Sequence, residues 1–87
     1  MTQSKDVPTW NIKGLCTECR ELKTKVGDKI WAYAIKIMAM GGIFELQTKD
    51  PTLFAKFGEG LECETWGTFE HFNGKVRFKL DGMKGIG

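Results

Sequence analysis

The sequence predicts an all-β barrel with one short helix, on three observations. Asn73-Gly74 is a strong two-residue hairpin signal, because a type I′ turn needs positive φ at both central residues. Between Lys49 and Gly58 the apolar spacing leaves the period of a strand for that of a helix. Elsewhere, short alternating runs are separated by glycine-containing turn signals. With 87 residues, 41% of them hydrophobic, the chain can form one domain around one modest core.

Residues 1–8 are polar and end in Pro8, which predicts a flexible leader before a domain over residues 9–87. Thr9 to Cys16 alternates, with Trp10, Ile12, Gly14 and Cys16 on one side, so it reads as a strand with a bend or bulge at Gly14. Arg20 to Lys29 reads as a charged connection closed by Val26-Gly27-Asp28. Lys29 to Met40 reads as the second strand. Its Lys36 must face water, which assigns Ala32 and Ala34 to the outside and Trp31, Tyr33, Ile35 and Ile37 to the core. Gly41-Gly42 then reverses the chain into a third strand, Ile43 to Thr48.

Asp50 suits an N-cap, Pro51 the first helical position and Gly58 the residue past the end. The predicted helix therefore runs from Pro51 to Phe57, with Leu53, Phe54 and Phe57 on one stripe. The last two strands follow. Folding at Asn73-Gly74 sets Phe72 against Lys75, His71 against Val76, Glu70 against Arg77, Phe69 against Phe78, Thr68 against Lys79, Gly67 against Leu80 and Trp66 against Asp81. A one-residue slip would bury Arg77 and Lys79, so this register is strongly specified. The order β-β-β-α-β-β, with the helix between strands three and four, is the signature of a five-stranded Greek-key barrel, the OB-fold.

Ile12-Lys13-Gly14, Arg20-Glu21-Leu22, Thr24-Lys25-Val26-Gly27-Asp28-Lys29, Phe57-Gly58-Glu59-Gly60 and Cys63-Glu64-Thr65-Trp66-Gly67-Thr68-Phe69 form a diffuse pattern over residues 11–83. The pattern resembles the bacterial single-stranded DNA-binding protein family, which implies an OB-fold and single-strand binding. The family usually has a long loop between strands two and three, nearly absent here, and an acidic tail, which this chain does not show before Gly87.

Thirteen basic against 11 acidic residues give a net charge of +2, so bulk charge does not choose a partner and any phosphate contacts must be local. OB-folds bind single strands with aromatic platforms for bases and basic side chains for phosphates. The positions so marked are Lys23, Lys25, Lys29, Lys36, Phe72 and Lys75, with Arg77, Lys79 and Trp66 on the outer side of the last two strands. Glu62, Glu64, Glu70 and Asp81 crowd the face of Trp66, which ranks it below the loops.

Cys16-Thr17-Glu18-Cys19, Cys63 and His71 supply the composition of a Cys₃His zinc site, but a second paired knuckle is missing, so the cysteines read as small buried hydrophobes. An odd cysteine count fits a reducing cytoplasmic protein. The polar N-terminus shows no signal peptide, and no apolar run reaches spanning length, so no membrane association is expected. One histidine, scattered carboxylates and no phosphate loop give no catalytic constellation and no cofactor. The expected function is single-stranded nucleic-acid binding with little sequence preference, DNA before RNA, as in replication, with a homo-oligomer as a further expectation. The alternative is an OB-fold assembly domain in which Trp66 and Leu15 fill a partner interface.

Overall fold

In the computed structural model, residues 8–86 are described, apart from the side chain of Phe72. The expected leader therefore lies, but for Pro8, outside the described residues. Five strands and one helix follow in the predicted order: β1 (Thr9–Lys23), β2 (Ile30–Ala39), β3 (Gly42–Thr48), α1 (Pro51–Phe54), β4 (Glu62–Phe72) and β5 (Lys75–Gly85). They close into a barrel with neighbours β1-β2-β3-β5-β4, which is the OB-fold arrangement.

β1 makes closure possible by serving two neighbours. Thr9 to Leu15 pairs antiparallel with β4, and Leu15 to Lys23 pairs antiparallel with β2. The seam between β3 and β5 is parallel and short, Leu46 against Phe78 and Gln47 against Lys79. β1 extends past Cys16 to Lys23, where a charged connection was expected from Arg20. A strand with one wet side tolerates those charges, and Arg20 reaches Glu45 at 3.2 Å across the outer face. The connection that remains, residues 24–29, is tied by Thr24, whose hydroxyl donates to the Val26 carbonyl and accepts from the Lys29 N–H.

The inward sides of all five strands supply the core. Ile35, Ile37 and Leu46 are fully buried, and Trp10, Ile12, Leu53 and Leu80 join them. Burial of a side chain this size contributes about 1.5–3 kcal/mol relative to exposure. The buried polar groups are satisfied: Thr65 donates to the Ile12 carbonyl at 2.8 Å, and the Trp10 indole donates to the Thr68 carbonyl at 2.6 Å.

α1 starts as predicted, with the Asp50 side chain accepting from the Thr52 N–H at 2.9 Å and Pro51 opening the first turn. It ends at Phe54 rather than Phe57. Lys56 donates to Leu53 and Phe57 to Phe54, three-residue bonds that tighten the last turn out of α geometry. Leu53 is buried, and Phe54 stacks on Tyr33 with ring centroids 4.4 Å apart. The β2–β3 turn is Met40-Gly41, both at positive φ, while the expected turn residue Gly42 pairs with Ala39 inside the ladder.

Three β-bulges adjust this frame, each identified by a residue skipped in the pairing. Thr17 is skipped between Cys16–Ile37 and Glu18–Lys36, and Trp31 between Leu22–Ala32 and Lys23–Ile30. Asp81 is skipped between Trp66–Gly82 and Gly67–Leu80. The predicted hairpin register holds from Phe72–Lys75 through Gly67–Leu80, and the predicted Trp66–Asp81 pair is replaced by Trp66–Gly82.

Candidate nucleic-acid interface

The bulge at Trp31 overturns its predicted place in the core. An extra residue in one strand re-aims its side chain. Trp31 and Ala32 accordingly line one cleft of about 400 Å³ on the outer face, and the Trp31 side chain is 40% exposed. Ala32 and Ala34, expected to face outward, are both buried, while Tyr33 keeps the helix-facing side.

Four elements feed this cleft. β3 and the residue after it supply Gln47, Thr48 and Lys49, β4 supplies Glu70 and His71, and β5 supplies Arg77 and Lys79. The parallel β3–β5 seam sets Gln47 beside Lys79. Arg77 donates to the Gln47 side-chain carbonyl at 3.2 Å, and its guanidinium carbon lies 6.0 Å from the centre of the Trp31 ring, at the outer range of a cation–π contact. One indole thus stands in a rim holding Lys49, Arg77 and Lys79 against a single carboxylate, Glu70. Such a rim can hold a flat ring against Trp31 and an anion beside it.

The other predicted positions divide. Lys23, Lys25 and Lys29 lie on the β1–β2 connection or beside it, and that connection runs directly into Ile30 and Trp31. Lys25 and Lys29 are exposed, while Lys23 lies 3.9 Å from Glu21. Lys36 sits 3.6 Å from Glu18, inside a surface network with Arg20 and Glu45. Lys75 is exposed beside the Asn73-Gly74 turn, and the Phe72 side chain lies outside the described residues.

Trp66 occupies a second, separate cleft with Thr9, Trp10, Asn11, Gly67 and Asp81. Its indole lies on Gly82, where an added Cβ would come within 2.6 Å of the ring. Glu64, two residues away, accepts from Asn11 at 2.9 Å. This cleft is acidic and partly filled by its own tryptophan.

Sequence reasoning missed Trp31, Gln47, Lys49 and His71 as parts of one site. The available signal was Trp31 itself, an indole at the start of a strand just after a charged turn. Alternation assigned it inward because a bulge breaks alternation without changing composition.

Cys16 and Cys63 are fully buried, as predicted, while Cys19 is partly exposed. The Cys16 and Cys19 sulfurs are 3.4 Å apart. Burial, reinforced by Cys19, pushes the Cys16 thiol up to about 12, and burial also raises Cys63. His71 belongs to the Trp31 cleft instead, and among the described residues no group of three or more His, Cys, Asp and Glu side chains is placed to hold a metal ion. No helix among the described residues is long and apolar enough to cross a membrane.

No protein-family model matches the chain, and no curated protein matches its sequence.

Proposed function

We propose that this chain binds single-stranded nucleic acid, DNA before RNA, with little sequence preference, as a cytoplasmic protein of replication or a related process. The observation that carries the reading is the Trp31 bulge, which turns an exposed indole into a cleft rimmed by Lys49, Arg77 and Lys79. A base stacks on Trp31, a contact that tolerates any base because every base has a π-face. Phosphates meet Lys49 and Lys79, and the strand continues toward Lys25 and Lys29 on one side and Lys75 on the other. The OB-fold barrel and the sequence resemblance to single-stranded DNA-binding proteins support this reading.

A titration of tryptophan fluorescence with single- and double-stranded oligonucleotides at two salt concentrations tests it. Quenching by single strands that weakens with salt and disappears in Trp31→Ala is the expected result. Binding indifferent to salt, or unchanged in that variant, overturns it.

One observation favours the alternative, an assembly domain. Met38 and Ile43 pair across β2 and β3, Met40 caps their turn, and all three are exposed beside half-buried Leu15. If that patch is an interface, a homo-oligomer forms whose stability is insensitive to salt and falls in Ile43→Asp, while oligonucleotides leave the fluorescence unchanged.

A further inference from the structure

In a regular strand residues i and i+3 point to opposite faces, so the spacing Cys16-Thr17-Glu18-Cys19 alone would hold the two thiols apart. The bulge at Thr17 removes one residue from the alternation. Cys16 is consequently inside the core, Cys19 packs against that core from a partly exposed position, and their sulfurs stand 3.4 Å apart. A disulfide needs about 2.05 Å between sulfurs, so side-chain rotation has to close a gap of only about 1.4 Å.

We propose that Cys16 and Cys19 form a peroxide-reactive dithiol that closes to an intrastrand disulfide within the folded barrel. Cys19 is the sulfur a small oxidant reaches. Its thiolate attacks one oxygen of a hydroperoxide, the O–O bond breaks, and the product is a sulfenic acid at Cys19 with hydroxide or alkoxide leaving. The Cys16 sulfur then attacks the Cys19 sulfur, the S–O bond breaks, and water leaves with the proton released by Cys16. Two thiols give up two electrons and two protons, and the peroxide becomes water and water or an alcohol. Cys16 is enclosed in the core beyond the oxidant's reach, so it takes no part in the first step; it resolves the sulfenic acid because it is already adjacent, its proton passing to the departing hydroxyl. Cys63 is fully buried on β4 and is closed to the oxidant in the folded state.

Peptide mapping tests this directly. Trypsin cutting after Lys13 and Arg20 releases one peptide, residues 14–20, that holds both cysteines, while Cys63 leaves on a separate peptide. The folded protein is treated with limiting hydrogen peroxide, its remaining thiols are alkylated, and it is digested. The expected product is the 14–20 peptide lighter by two hydrogens and unalkylated, with Cys63 alkylated and full reversal by dithiothreitol. Cys63→Ala, which removes a competing thiol, leaves that product in place, and Cys19→Ser abolishes it. A cross-link between the 14–20 peptide and the Cys63 peptide overturns the assignment. So does sulfinic acid at Cys19 with Cys16 alkylated, or no oxidation of either thiol.

Discussion

Trp31 and Trp66 are nearly equally exposed, at 40% and 38%, and each sits at a β-bulge, yet their surroundings are opposite. Trp31 is itself the extra residue of its bulge, so its ring leaves the ladder and stands in a cleft with Arg77, Lys79 and Lys49. Trp66 stays in the ladder while Asp81 across from it is the extra residue, so its ring lies on Gly82 beside a carboxylate. Exposure alone does not distinguish the two rings. What lies beneath the ring and which charge lies beside it do.

The largest effect that would test this contrast is on stability. Gly67 lines the Trp66 cleft, and a Cβ there would collide with the Lys79 carbonyl and press on Trp10. The collision with Lys79 is against backbone, which cannot rotate away. Gly67→Ala is expected to cost about 4 kcal/mol or more in urea unfolding, the range reserved for a forced core rearrangement. A variant of near wild-type stability would show that the β4–β5 seam gives way easily and that Trp66 is not held by it.

The second test separates the rings by function. Trp31→Ala should cost about 1–3 kcal/mol in single-strand binding, the value of one base stacked on an aromatic ring. Its unfolding free energy should change little, because the ring is half in solvent above an existing cleft. Trp66→Ala should do the reverse, lowering stability through the lost packing on Gly82 and leaving binding nearly intact. Equal binding losses in the two variants would erase the distinction.

Much of the fold was legible because its signals are local. Asn73-Gly74 fixed a turn, and six pairs beyond it followed from the need to keep Arg77 and Lys79 wet. Asp50-Pro51 marked the helix start, since a cap and a fixed φ are written in single residues. The helix end was not legible, because the last turn tightens into three-residue bonds before the stop that Gly58 marks. The site was half legible. Arg77 and Lys79 were found from register, but Trp31 was assigned to the core because nothing in its neighbours announces a bulge. Lys49 and His71 join only through barrel closure, which brings β3, β4 and β5 together across long sequence distances.

A smaller effect should appear in the salt dependence. Lys49 and Lys79 are the lysines at the Trp31 cleft. Replacing both with Ala removes about two phosphate contacts and should lower the magnitude of the log–log salt slope by roughly 1.4 for single strands. The pair Lys23 and Lys36, each already beside a carboxylate, should lower it by less. If the second pair matters as much as the first, the strand runs across β2 rather than through the cleft.

The smallest expected effect comes from giving the two clefts the same sign of charge. Asp81→Lys replaces the carboxylate beside Trp66 with a cation, giving that cleft the sign of charge the Trp31 cleft already has. The sign of the charge then no longer separates them, and the packing beneath the rings and the number of cations remain. Because Gly82 closes one face of the Trp66 indole, a base gains little by stacking there, and a single added lysine contributes at most one phosphate contact. The salt slope should therefore grow by no more than about 0.7, with affinity changed by roughly fourfold or less near physiological salt. Trp66→Ala in the Asp81→Lys background should leave even that gain in place, since the new contact is electrostatic. A gain of tenfold or so that vanishes with Trp66 would instead be worth about 1.4 kcal/mol, a base-stacking energy. It would mean that the carboxylate alone keeps the second ring from binding, and that what lies beneath the ring does not matter.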